Sequence, residues 1–305
     1  MKKNSATRKA LQFLSTSKGL ALILVGPVLT LFLCIMFVPF LLEMYLSYTP
    51  WHPRQGDWWK TVFIGPSNYI DLISSDSRFL LSLARTLLFV VIAVGIEFGI
   101  GLLLATAFTR RFTGKRILFS ILLLPMMVMP IIVGYDFYMI FQPRGPFNSI
   151  LSMMVGQPTT IDWLIDPNLV WIALLMTDAW HWTPFMFLIL LAGLASLPKN
   201  PVDAAKVLGA SAWQIFKDIK LPLMKNIIVI ALVIRAMEAK NLFDEIYIMT
   251  GGGPGTATET ISIYTYIFGA VNFRVGYTSA AAIIILIVTV TIIGLAIRPI
   301  LRELR

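Results

Sequence analysis

Apolar residues along this chain fall into long runs, not into the spaced stripes of a soluble amphipathic fold. Six runs reach the about 20 residues that a bilayer crossing needs: 20–42, 84–108, 117–141, 169–195, 226–249 and 277–299. The pattern predicts an all-α polytopic membrane protein with six transmembrane helices and both termini on one side. Residues 1–19 then form an N-terminal segment, 20–299 the transmembrane domain and 300–305 a short tail. A polar interval, 198–226, separates the fourth and fifth runs. In it, Asn200 is placed to cap a helix that opens at Pro201, carries Asp203 in its first turn and stops at Gly209. Ser211 then opens a second helix, with Gln214 three residues on completing a capping box and Pro222 limiting it. Trp213, Phe216 and Ile219 are spaced as an apolar stripe on that second helix.

Composition agrees with the pattern. The chain is 57% hydrophobic and only 13% charged, too apolar for a soluble surface. Its net charge of +9 could point to nucleic acid, but the distribution points to membrane orientation instead. Seventeen basic residues lie in the N-terminal segment, the 109–116 loop, the 198–226 interval and the C-terminal end. The opposite loops hold only Arg54, Lys60, Arg78, Arg85, Arg144 and Arg274. By the positive-inside rule both termini and the 198–226 interval are cytoplasmic. The first run is too long for a cleaved signal peptide, and Trp51, Trp58 and Trp59 just beyond it fit an interfacial belt. One cysteine, Cys34, and two histidines, His52 and His181, offer neither a disulfide framework nor a zinc cluster. No glycine-rich phosphate loop is present, so ATP and Mg would have to be held by another subunit. Beyond Asp178 with His181, no constellation supports enzyme chemistry.

The fifth run carries Arg235, Glu238, Lys240, Asp244 and Glu245. A charge near the bilayer midplane costs about 2.5–3.5 kcal/mol, so these side chains must face the protein interior. Pairing along the helix, Arg235 with Glu238 and Lys240 with Asp244, is one account of them; a charge relay in a channel or secondary transporter is another. In the fourth run, Pro184 removes a helical hydrogen bond, which is tolerated where a helix lines a cavity. Asp178 and His181 are spaced to satisfy one another, and Trp180 and Trp182 to pack between helices.

The series Asp203-Ala204-Ala205, Gly209-Ala210, Phe216, Ile219 and Leu221-Pro222 resembles the EAA loop of permease subunits of binding-protein-dependent ABC importers, with Asp203 for the usual Glu and Leu208 for the usual Asp. Phe243-Asp244-Glu245-Ile246-Tyr247 running into Thr250-Gly251-Gly252-Gly253-Pro254 closely resembles the signature of the carbohydrate-uptake permeases among them. Gly65, Asn68-Tyr69 and Arg85-Thr86 resemble elements ahead of their second helix, and Gly145 and Asn148 the loop after their third; Trp180 and Pro184 match their fourth. The resemblance covers about residues 20–298. It implies a subunit that catalyses no chemistry, holds no cofactor of its own and works with a second, non-identical permease, two ATP-binding subunits and an external solute-binding protein, in the inner membrane of a bacterium or archaeon. It also implies an EAA-type coupling helix pair at 198–226 docking on the ATPase through Asp203, Ala204, Ala205, Gly209, Ala210 and Phe216. Asp178, His181, Trp182 and Arg235 align with sugar contacts of the maltose members, and Asn241 adds a hydrogen-bonding group. The expected substrate is a sugar or sugar derivative, and Arg235 in that set points to an anionic one. Gly251, Gly252, Gly253 and Pro254 would form an external gate or hinge.

Overall fold

A computed structural model describes residues 16–303. The basic residues Lys2, Lys3, Arg8, Lys9 and Arg305 therefore lie outside the described part, with most of the expected 1–19 segment and the end of the 300–305 tail. Among the described residues all regular structure is helical. The chain groups into two units, one up to Asp71 with Phe268–Ile284, the other Leu72–Ile267 with Ile285 onward.

In the first unit, α1 (Ser17–Ser47) is apolar around its circumference, and the window from Leu24 that is long enough to cross a membrane buries nothing within this chain. Its C-terminal end is tied down by polar contacts. Asn68 at the start of α2 (Ser67–Ser74) donates to the carbonyls of Ser47 and Thr49, each at 2.9 Å, and the Tyr69 hydroxyl donates to Ser47 Oγ at 2.6 Å. Gly276 sits so close to the Leu46, Thr49 and Trp51 backbone that a Cβ there would collide. The residues that resembled a family element thus have a local reason: they anchor the loop after the first helix.

The second unit is built on α3 (Ser77–Phe108) and α7 (Leu169–Ser196), which pack along each other. Small residues set their spacing, as expected where lipid leaves van der Waals contact as the main attraction. A Cβ at Gly101 would stand 3.0 Å from Met186 and from the Phe187 backbone; one at Gly193 of α7 would make the corresponding close approach, 3.0 Å, to Ile227 of the Lys225–Lys240 helix. Phe108 and Phe187 meet edge to face at 5.1 Å in the core between them.

Among the described residues, four helices are long and apolar enough to cross a membrane without interruption: Leu24–Ser47, Ser77–Phe108, Leu169–Ser196 and Val275–Arg298. The other two expected crossings are broken. The third is divided into α4 (Lys115–Leu123), a tight turn at Pro125–Met127 and α5 (Pro130–Ile140), with a bend of 98°. Pro125 and Pro130 cannot donate to the preceding turn, which accounts for the break. The fifth is divided into α9 (Lys225–Lys240) and α10 (Asp244–Met249) around Asn241. Neither proline nor glycine marks that break, but Asp244 and Glu245 supply the acidic first turn of a new helix. Pro184, by contrast, lies inside α7 without ending it. The remaining helices are α6 (Pro146–Val155), α8 (Lys199–Val207), α11 (Ile261–Thr265) and α12 (Val275–Glu303).

Candidate functional site

Five ionisable side chains from four helices converge in the second unit. Arg235 of α9 donates from Nε to Glu97 Oε2 at 2.7 Å and from Nη2 to Glu97 Oε1 at 2.8 Å. Nη2 also lies 2.7 Å from both oxygens of Asp178 on α7. All three side chains are essentially removed from solvent, and the guanidinium lies 4.9 Å from the Trp182 ring centroid, a cation–π contact. One helical turn from Asp178, His181 Nδ1 is 3.0 Å from Glu245 Oε1 of α10, and its Nε2 is 3.1 Å from the Val128 carbonyl in the α4–α5 bend. The network therefore ties both divided segments to the two unbroken helices at the core. The buried guanidinium is tolerated because it bonds both carboxylates directly, the Glu97 pair through two nitrogens; removing it would leave two carboxylates buried without a cation.

This geometry revises the sequence-based pairings. Arg235 is engaged by Glu97 and Asp178, not by Glu238, and Asp178 does not pair with His181. Glu238 and Asp244 are exposed, and Lys240, half-buried, has no carboxylate partner among the described residues. Helical spacing alone could not foresee this, because the break at Asn241 rotates the second half of the crossing away from the register of the first. Of the five expected sugar contacts, Arg235, Asp178 and His181 are buried in contacts with their own chain; Trp182 is half-buried and Asn241 exposed. Glu97 was overlooked by sequence reasoning. The signal was present, since it is the one acidic residue in the 84–108 run.

In the 198–226 interval, α8 opens at Lys199 with Pro198 at the cap position, so Asn200 is not the cap and Pro201 falls inside the first turn. The helix ends at Val207, and Gly209 takes the left-handed conformation, φ 80°, that closes it. Ser211 and Gln214 make the expected capping box, Ser211 N–H to Gln214 Oε1 at 2.7 Å and Gln214 N–H to Ser211 Oγ at 3.3 Å. The helical turn Ala212–Gln214 then widens into a π-helix, Ile215–Lys220, and continues through Pro222 to Leu223. Pro222 does not limit it, because the wider register relieves the clash of its ring with the preceding turn. The tip is apolar and bare: Val207 and Leu208 are each 88% exposed and Trp213 67%. The Trp213 and Phe216 rings stack at 5.8 Å, while Ile215 is the residue that turns inward. Asp203 and Ala204 are exposed beside them; Ala205 and Ala210 are half-buried. Lys206, 2.9 Å from Asp203, holds its carboxyl below the ordinary carboxylate value.

The glycine turn is cross-tied by hydrogen bonds within its own segment. Thr258 Oγ1 donates to the Gly253 carbonyl at 2.7 Å and lies 2.8 Å from Thr250 Oγ1, and Gly252 N–H donates to Thr250 Oγ1 at 3.2 Å. Gly251 and Gly252 have φ of 60° and 93°, and a Cβ at Gly252 would crowd Ile263. The Gly253–Pro254 peptide is cis. Three further ties hold the segment to the start of α3: Arg78 binds buried Glu259 through two nitrogens, Tyr264 Oη donates to Asp76 at 2.6 Å, and Ile261 N–H donates to Thr86 Oγ1 at 2.8 Å. Among the described residues, no group of three His, Cys, Asp or Glu side chains is arranged to hold a metal ion.

Residues 97–303 match the family described as binding-protein-dependent transport system inner membrane component. The trehalose/maltose transport system permease protein MalF of Thermococcus litoralis is 32% identical over 302 residues, covering 96% of this chain and 97% of the relative. The trehalose transport system permease protein SugA of Mycobacterium tuberculosis is 33% identical over 268 residues, 88% of this chain and 84% of the relative. A chain in the crystal structure of a bacterial ABC transporter involved in the import of the acidic polysaccharide alginate superposes with a TM-score of 0.79, at 23% identity and over 93% of this chain and 95% of that one. The last of these speaks to the fold.

Proposed function

Because the chain belongs to the family of binding-protein-dependent transport system inner membrane components, we propose that it is one permease subunit of an ATP-driven importer that carries a saccharide across the inner membrane of a bacterium or archaeon. The broken third and fifth segments each count as one crossing in this reading, giving six, with both termini and the 198–226 interval in the cytoplasm. A second, unlike permease completes the pathway, two subunits holding ATP and Mg dock on the α8–Gln214 knuckle and its partner's equivalent, and an external binding protein delivers substrate near the cross-tied glycine turn.

The observation that carries the reading is the break in the fifth crossing. Asn241 stands exposed there, about 24 Å along α9 from Lys225 at 1.5 Å per residue, and Trp182 offers a half-open ring face on α7. A bare polar break at this depth needs water or another subunit to cover it. An amide with an aromatic face is suited to sugar hydroxyls and the apolar side of the ring. Arg235 already faces two carboxylates, so a substrate anion would add a third negative charge; this favours a neutral saccharide over an anionic derivative.

The test is uptake into proteoliposomes that contain both permeases and the ATPases, with binding protein outside, comparing trehalose with its phosphate ester. ATP-dependent uptake of the neutral sugar is expected. Uptake driven by an ion gradient without the ATPases would favour a secondary transporter instead, and preferential uptake of the phosphate would return Arg235 to the role of charge reader.

A further inference from the structure

A groove of about 890 Å³ opens beside the coupling segment; it shares Trp213 and Phe216 with that segment, and the reading above gives the rest of its lining no role. Its wall from α3 consists of Gly99, Leu102, Leu103 and Thr106, and its wall from the coupling segment of Trp213 and Phe216. Arg110 and Arg111 stand at its mouth, both exposed, and neither guanidinium has a partner among the described residues. The neighbouring cation is differently placed: Lys115 Nζ donates to the Phe108 carbonyl at 2.5 Å and so closes the end of α3. The Thr106 hydroxyl, inside the groove, has no hydrogen-bond partner in the protein.

The groove is amphipathic along its length. Gly99 lies eleven residues, about 16 Å of helix, from Arg110, so the apolar end is at hydrocarbon depth and the cationic end at the membrane surface. A soluble ATPase cannot reach the deep end. A molecule with an anionic head and a long apolar body fits both ends, and its volume lies within the usual range of ligand pockets. We propose that this groove binds one anionic phospholipid of the inner leaflet, its phosphate held by Arg110 and Arg111 and an acyl chain lying along Gly99, Leu102 and Leu103 against Trp213 and Phe216. The lipid then forms part of the seat of the coupling segment. The assignment rests on the cytoplasmic placement of the 109–116 loop proposed above, but not on transport activity.

Native mass spectrometry of the full chain in detergent, titrated with dioleoyl phosphatidylglycerol or dioleoyl phosphatidylcholine, tests it without any partner subunit. One tightly retained phosphatidylglycerol and no retained phosphatidylcholine are expected. Arg110→Gln with Arg111→Gln should weaken retention about thirtyfold, as loss of two basic residues at an anionic surface does. Gly99→Leu should weaken it similarly with both arginines intact, since nothing within 4 Å opposes a side chain there except the groove itself. Equal retention of the two lipids, or a Gly99→Leu chain that binds like the parent, would overturn the site and leave only surface attraction. If the arginine variant kept its lipid yet lost the ATPase on co-purification, the groove would belong to the ATPase interface and the lipid proposal would fail. A parent chain that retains phosphatidylglycerol but shows no ATP-dependent uptake when assembled with its partners would count against the importer reading alone.

Discussion

Arg235 Nη2 lies 2.7 Å from each carboxylate oxygen of Asp178, and Glu97 is bonded by Nε and by that same Nη2. A residue that sequence comparison places among sugar contacts is therefore the hub of a lock joining α3, α7 and α9. The role assigned to it changes what its variants should do.

Arg235→Gln should lower stability by about 3–5 kcal/mol, because two carboxylates are left buried without their cation. Adding Glu97→Gln should recover part of the loss, whereas adding Glu238→Gln, on an exposed residue, should recover none. Thermal unfolding in detergent distinguishes the two. Rescue by the Glu238 change would restore the helical pairing that spacing suggests.

Asn241→Ala should leave unfolding temperature nearly unchanged, Trp182→Ala should lower it through loss of the cation–π contact to buried Arg235, and both should raise the substrate concentration for half-maximal uptake. One lost hydrogen bond or ring contact is worth about 1–1.5 kcal/mol, close to tenfold. A concentration series in proteoliposomes is the measurement. Unaltered uptake in both variants would remove the break in the fifth crossing from the pathway.

At the knuckle, Gly209→Pro forces a negative φ where 80° is needed, and Phe216→Glu places a charge in the Trp213 stack. Both should insert and fold yet separate ATP hydrolysis from uptake. Ser211→Ala, which loses only the cap, should cost about 1 kcal/mol locally and weaken coupling less. Full ATPase co-purification with normal uptake in the Gly209→Pro chain would detach the knuckle from energy transfer.

Glu259→Gln should loosen the glycine turn. Arg78 is 40% exposed at its side chain and Glu259 only 2%, so the pair is partly screened and its loss should show locally and not as global unfolding. Amide exchange at 250–262 should quicken while that of α7 stays slow. Unchanged protection of the turn would mean that its threonine bonds suffice to hold it.

Much of the molecule was legible in the residues because its causes are local. Long apolar runs specified membrane-length helices over four of the six expected segments among the described residues, and the Ser211 and Gln214 spacing specified a capping box. The 117–141 run was expected as one continuous crossing, although Pro125 and Pro130 within it are local cause enough for the observed bend. Glu97, alone in an apolar run, carried a signal of a buried partner that the reading of the sequence passed over. Tertiary structure alone decided the rest. The partners of Arg235 lie 57 and 138 positions away in sequence, and helical periodicity contains no term for residues that meet only after three helices pack. The break at Asn241 is stabilised by Glu245 reaching His181, a contact from another helix, so no breaker residue was needed to mark it. Buried charge requires a partner on physical grounds readable from the sequence, but which partner it finds is fixed by the packing of α3 against α7.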